Sequence, residues 1–533
     1  MLKNLKPCLV LLALLLPAAP NFGQDPSNQA AAKAEFAQGQ AALKKSEFAA
    51  AAAAFRKAIE LDPDSAEAHT QFISASFRAG KPEDEPAVRQ ELRQLYQRWA
   101  EQHPTKAILQ LKLGDLCGNE KGKAEPYYRK AVALDPKLAR GFMELSLIAE
   151  VRGENEQRRA YLKQAAEAAP ADPSFLFYYT QAVREHDPAQ YRKLTQELLK
   201  RFPQDSRAAQ ALYWLAFETT EVKEKRAILE QLRRDFPLNK FSWSHSGMDQ
   251  LFDIYVEQEP ERALALAEEL AKFDPKDKEW AAKAALQQNV MKARALLGEG
   301  KFAEAAALLE STATPRYTNV TALHLTKAEA YDRAGELAKG FDILAKVAAQ
   351  EPTDALLKAL NQYGTKLGKT TAQIEAELWR LRDAQAALFK EFALAKYTGT
   401  GTASLADYRG KVVLVDFWYP TCGPCRGEFP NLQKALAKYG PQGFVILAIN
   451  VEPPEDEMVL PYLKHNGYGF IPLKSNWDWA KENYAVRGAP TNFLIDRAGR
   501  VVFKPRVIRG ADAHRTFELQ IEALLKQTAG SAQ

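Results

Sequence analysis

The sequence predicts a multidomain chain of two unlike parts, an all-α stack of paired helices followed by an α/β domain. Three observations carry this. Prolines close helix-like segments at a nearly regular interval from Pro63 to Pro352. An apolar, β-branched run, "KVVLVDFW", appears at Lys411–Trp418. A Cys-Gly-Pro-Cys turn follows that run almost directly.

The 533 residues are too many for one ordinary core, so two or more domains are expected. Apolar content of 46% and charged content of 26% exclude a disordered or membrane-embedded chain. The formal charge of +5 is small for this length, and no basic stripe alternates with aromatics, so nucleic acid is not expected as a partner.

Residues 1–24 read as an export signal: Lys3 and Lys6, an apolar run from Leu9 to Leu16, then Ala18 and Ala19. A membrane anchor is the alternative, but spanning needs roughly 20 apolar residues. Cys8 precedes the apolar run, where a lipid-bearing cysteine would follow it. Export, with the bacterial periplasm as the expected compartment, places the chain where disulfides form. Cleavage leaves Cys117, Cys422 and Cys425, too few to staple a chain this size. The Cys-x-x-Cys pair therefore reads as reactive. Cys117 reads as a small apolar filler between helices, with a regulatory thiol as the alternative.

Residues 30–360 carry the helical part. In "AKAEFAQGQAALKKSEFAAAAAAFRKAIELDP", Gly39 and Ala51 permit close approach, Phe55 and Ala58 line the next turns, and Pro63 ends the second helix. Further units end at Pro136, Pro170, Pro203, Pro237, Pro275, Pro315 and Pro352, and a late unit repeats the register with Ala328 and Tyr331. This pattern resembles the tetratricopeptide repeat, a helix pair of about 34 residues. The resemblance implies a superhelical solenoid with a concave face for a protein partner. A spacer or dimerisation arm is the alternative. Residues 361–387 are expected to be a helical linker, 388–527 the second domain, and 528–533 a disordered tail.

In the second domain the strand leads into a helix that starts at the cysteines. Cys422 falls at the helix N-terminus, where free N–H groups and the helix dipole favour a thiolate. Cys425 lies one turn further in. Gly423 and Pro424 fill the gap, and proline fits a first turn because no N–H is needed there. A zinc site would require two more ligands, and this domain has no other cysteine, with His465 and His514 isolated. Neither metal nor cofactor is expected.

"CGPCRGEFPNL", "FVILAINVE" and "YAVRGAPTNFLIDRAGRVVF" together resemble the TlpA/ResA-like branch of the thioredoxin superfamily. The resemblance implies an α/β thioredoxin fold and a redox-active disulfide, Cys422–Cys425, with Cys422 attacking and Cys425 resolving. It implies a cis-proline at Pro490, with a trans loop proline as the alternative, and substrate contact by Trp418, Gly423, Pro424, Ala489 and Thr491, with plain core packing beside the cysteines as the alternative for Trp418. Asp416 interrupts an apolar strand, which is costly for a carboxylate without a task. The matching aspartate of thioredoxins moves the resolving thiol's proton, and an edge-exposed structural Asp is the alternative. Glu452 and Glu428 are further candidates, Glu452 as an active-site glutamate and Glu428 with an exposed helix position as its alternative. Thr421 stands where the branch usually has Trp.

The function expected is thiol–disulfide exchange, in the reducing direction, on proteins with thiols or disulfides, supplied by a membrane or periplasmic electron donor. The rival is a repeat scaffold with the second domain as an accessory clamp. A thiol peroxidase is disfavoured, because the P-x-x-x-T-x-x-C spacing is missing.

Overall fold

The computed structural model describes residues 26–527, apart from 119, 185, 220, 316–319, 506, 507 and 509. The expected export signal and C-terminal tail lie outside the described residues. The contacts divide the chain into two compact units. One takes the described residues to Ile148 together with Ala160–Pro170, and the other takes Ala149–Arg159 and the described residues from Ala171 on.

In the first unit, helices Pro26–Lys44 and Phe48–Leu61 form the hairpin expected from the first repeat. A Cβ on Gly39 would stand 2.6 Å from the Phe55 ring, so the glycine is what lets the two helices close. Phe55, Ala51 and Ala58 are buried there. Asp62 and Pro63 follow the second helix, and the Asp62 N–H still bonds the Ala58 carbonyl. Proline two residues past a helix end cannot continue it. The same offset recurs at Pro136, Pro170, Pro203, Pro237, Pro275 and Pro352. Pro315 departs from it, standing five residues beyond helix Phe302–Glu310. Cys117 is buried, and its thiol is pushed up by that burial, as suits a packing residue.

In the second unit, Leu356, Leu360, Ile374 and Leu378 join one core with Phe341 and Leu344 of the last repeat. The stretch 361–387 is thus no free linker. Its helix Thr371–Asp383 packs with helix Asp354–Lys366 as a further hairpin, because its apolar residues recur at helical spacing and need a partner face.

The sheet domain follows. Its strands are β1 (Ala387–Leu388), β2 (Ala393–Ala395), β3 (Thr402–Ser404), β4 (Val412–Trp418), β5 (Phe444–Asn450), β6 (Ile471–Lys474), β7 (Thr491–Ile495) and β8 (Arg500–Val501). Its helices are α1 (Gly423–Tyr439), α2 (Asp456–His465), α3 (Trp477–Tyr484) and α4 (Gly510–Lys526). The main sheet runs β1-β8-β7-β4-β5-β6, and β2 with β3 makes a separate hairpin. β4 is parallel to β5 and antiparallel to β7. Every residue of β4 is buried, since both faces are covered. Val412, Leu414 and Trp418 enter one core with Phe429 and Phe517, while Val413, Val415 and Phe417 enter the other with Phe389 and Ala480. The period of two puts Asp416 on the first face, the one covered by α1.

Helical residues also cover this domain within the second unit. The Gln350 amide donates to the Val502 carbonyl at 3.2 Å, and Gln520 donates to the Gln350 carbonyl at 2.9 Å. Buried Arg382 donates to the Ala349 carbonyl and lies 5.5 Å from the Phe503 ring centre. A fragment beginning at residue 388 should therefore fold but melt below one beginning at residue 337, which keeps the helix Leu337–Gln350 and its contacts. The expected gap is several degrees, about what 1–2 kcal/mol of lost contact produces in a domain this size. Equal melting temperatures by circular dichroism would mean that the helical cover adds nothing.

Candidate active site

β4 ends at Trp418, and four residues later α1 starts with Cys422 as its cap. The Cys422 sulfur accepts the Cys425 N–H at 3.2 Å. Cys422 and Cys425 are joined by a disulfide. Both are buried, while Gly423 and Pro424 between them are exposed. The Ala489–Pro490 peptide is cis. The Ala489 carbonyl oxygen lies 3.7 Å from the Cys422 sulfur, and the half-buried residues 489–491 border the pair. Thr491 donates its hydroxyl to the Gly488 carbonyl at 2.7 Å, which braces that turn.

Beneath the pair lie two carboxylates. Asp416 is fully buried, not at an edge, and neither of its oxygens has a hydrogen-bond partner among the described residues. Burial first, and then the charge of Glu428, pushes its carboxyl well above the usual carboxylate range. Glu428 is buried as well, where an exposed helix position was the alternative. One of its oxygens accepts from the Asn492 amide at 2.8 Å and the other from the Ile508 N–H at 2.9 Å. Asn492 stands directly opposite Asp416 across β4 and β7. Glu428 is thus served by two donors, as an ionised carboxylate requires, while the environment of Asp416 favours its protonated form.

One sequence expectation changes here. Trp418 was expected to contact substrate, but it has no exposed surface and packs against Phe429 at 4.8 Å and Tyr462 at 5.8 Å. The cause is the strand's alternation, which turns Trp418 inward beneath α1 along with Leu414. The carboxylate of Glu452, the other candidate acid, accepts from Trp477 Nε1 at 3.0 Å, and the Trp477 ring lies 6.0 Å from Tyr419 of the cysteine loop.

Two residues were missed. Glu455, three positions on, holds the loop in front of Cys422 through the Thr421 N–H at 2.8 Å and the Thr421 hydroxyl at 2.5 Å. The run "VEPPEDE" offers four acids, and only the turn Pro453–Glu455 decides which one faces the cysteines. Glu150 pairs with Arg426, the residue after Cys425, and with Arg158 at 2.8 Å. A contact so distant in sequence leaves no local signal.

Residues 386–504 match the AhpC/TSA family, and residues 32–65 match a tetratricopeptide repeat. The thiol-disulfide oxidoreductase ResA of Geobacillus thermodenitrificans is 33% identical over 120 residues, which are 22% of this chain and 67% of that protein. ResA of Geobacillus kaustophilus is 34% identical over 120 residues with the same coverage. ResA of Bacillus subtilis is 34% identical over 98 residues, 18% of this chain and 54% of its own. Since the match takes in two thirds of the first two relatives, the chain belongs to the ResA family of thiol-disulfide oxidoreductases, here joined to N-terminal tetratricopeptide repeats.

Proposed function

We propose that the Cys422–Cys425 pair reduces disulfides of exported proteins, with Cys422 attacking and Cys425 resolving. The observation that supports this most directly is the Cys422 sulfur capping α1 and accepting the Cys425 N–H. A thiolate at that place is favoured by the helix end. The reduced Cys422 thiolate attacks a substrate disulfide; a bond forms between the two proteins, and the other substrate sulfur leaves as thiolate. Cys425 then loses its proton and attacks Cys422. The enzyme disulfide closes, the second substrate sulfur leaves, and two electrons have passed to the substrate. A dithiol donor at the membrane or in the periplasm restores the pair by the same exchange in reverse.

Asp416 is the group assigned to the Cys425 proton. Protonated in the disulfide form, it gives its proton to Cys425 as the pair is reduced, and its carboxylate takes the proton back at resolution. The exposed Gly423–Pro424 turn and the Ala489–Thr491 segment form the rim that a substrate strand meets. The repeats are assigned the recruitment of a protein partner, and export rests on the charged start and apolar run before residue 25.

In reduced protein near neutral pH, iodoacetamide should label Cys422 well before Cys425, as read by peptide mass spectrometry. Cys425→Ser should leave a persistent mixed disulfide at Cys422. Labelling of Cys425 first would reverse the roles.

Asp416→Asn should leave the first attack nearly unchanged and slow resolution by up to about 10²-fold, the lower end of a general-base contribution. Mixed disulfide then accumulates in single-turnover experiments; resolution at the normal rate would make Asp416 structural. The same variant reads the carboxyl's titration. A carboxyl raised above its ordinary value of 3.8 binds its proton more tightly in the folded chain. Its contribution to stability is greatest below that ordinary value and is lost as pH rises toward the folded one. Asp416→Asn lacks this loss, so its stability relative to the unsubstituted protein should improve as pH rises above the ordinary carboxyl value of 3.8 in urea titrations. A difference independent of pH would mean that the carboxyl is not shifted.

A further inference from the structure

Three acids that follow β5 take three different partners. Glu452 binds Trp477, and Asp456 accepts from the Asn450 amide at 2.9 Å and from the Tyr397 hydroxyl. Glu455 alone turns to the cysteine loop. It is only 5% exposed. Both of its oxygens accept from Thr421, the residue before Cys422, one from the N–H and one from the hydroxyl. A carboxylate withdrawn from water is costly unless charge-assisted bonds offset the loss. Here both bonds come from the peptide that delivers Cys422 to the helix end. An acid that merely filled space would not need that particular residue.

We propose that Glu455 is a positioning residue for disulfide exchange, locking the peptide before Cys422 and setting a fixed negative charge against the thiolate that forms there. The proposal rests on reading Cys422 as the attacking thiol. The groups around that sulfur define the balance. The start of α1 and the Cys425 N–H favour the thiolate. Arg426 on α1 adds a cation, which Glu150 pairs. Asp416 on β4 and Glu428 on α1 lie in the core beneath the pair, and Glu452 is engaged by Trp477. Glu455 is the acid bonded directly to the cysteine loop, so it opposes the helix end most closely. A thiolate made costlier leaves the reduced pair less stabilised, and a pair whose reduced form is less stabilised is the better reductant. The bond pattern therefore supplies a physical reason for the reducing direction.

The test compares the full-length protein with Glu455→Gln, which keeps the shape and one acceptor oxygen but loses the charge. Below the thiol's titration range, Cys422 alkylation should rise about threefold: roughly tenfold more thiolate for a one-unit fall in its pKa, less the lower nucleophilicity of a weaker base. In equilibrium with dithiothreitol, at a pH above the titration of both thiols, the variant disulfide should be about tenfold easier to reduce, about 30 mV. At a pH below both, the difference should vanish, because no thiolate is present to feel the charge. A purely structural effect would shift the equilibrium at every pH. Thr421→Val keeps the charge but removes the hydroxyl that partly neutralises it, so it should slow Cys422 alkylation, and it tests the idea even if Glu455→Gln fails to fold. Unchanged rates and equilibria in Glu455→Gln, a shift independent of pH, or faster alkylation in Thr421→Val would each overturn the proposal. Labelling of Cys425 ahead of Cys422 in the unsubstituted protein would overturn the assignment of thiols and this proposal with it; the normal order with unaffected variants would overturn only the role of Glu455.

Discussion

Helix α1 begins at Cys422 because the sulfur itself serves as its cap, taking the Cys425 N–H where a serine or aspartate oxygen would do so in an ordinary helix. Much else at the site follows from that one bond. Pro424 is tolerated because the first turn has no carbonyl waiting for its missing N–H. Cys425 is carried inward by one turn and buried, while Gly423 and Pro424 are left at the surface. The exposed side of the disulfide is thereby narrow, and residues 489–491 border it. Cys422 keeps a trace of exposed surface and Cys425 none, so Cys425 is shielded by its own helix.

Under the helix, two carboxylates share a space that does not favour two charges. Glu428 receives two hydrogen bonds, and Asp416 receives none among the described residues. The asymmetry decides which acid holds the proton: the one with donors keeps its charge, and the one without is neutralised by burial and by its neighbour. A buried acid that is neutral while its partner is charged can give its proton to the thiolate formed at Cys425, so that the charge moves from sulfur to carboxylate and the number of buried charges stays the same. Asn492 ties the arrangement to the sheet, since it pairs across from Asp416 while bonding Glu428.

Much of this was legible in the sequence, and the reasons differ by residue. The period of two in "VVLVDFW" marks a buried strand, and it also fixes the face on which Asp416 and Trp418 lie. The same rule, applied fully, sends Trp418 into the core and away from substrate. Gly39 and Phe55 were legible because helix pairs need a small residue opposite a large one. The acids after β5 were not legible, because register fails in a turn rich in proline: Glu452 and Glu455 are three residues apart and face different partners. The helical stretch 361–387 was read as a linker because it follows the last repeat proline. Its apolar face is continuous with the preceding core, and that continuity is visible only once Ile374 and Leu378 meet Phe341.

The contribution of Ala149–Arg159 to the redox site is the part no local pattern encodes. Gly153 has a positive φ, and a Cβ there would stand 2.5 Å from His465 Cβ, so this turn approaches the end of α2 as closely as backbone allows. Asn155 bonds Asn466 at 3.1 Å, which fixes the approach on its other side. The same short segment presents Glu150 to Arg426. A cation one residue past the cysteines would, if free, add to the field that favours a thiolate at the helix start. Paired and only about one-fifth exposed, it adds much less. The electrostatics of the cysteines are therefore set by more than the sheet domain, because an acid from a helical hairpin holds Arg426, the residue after Cys425, in place.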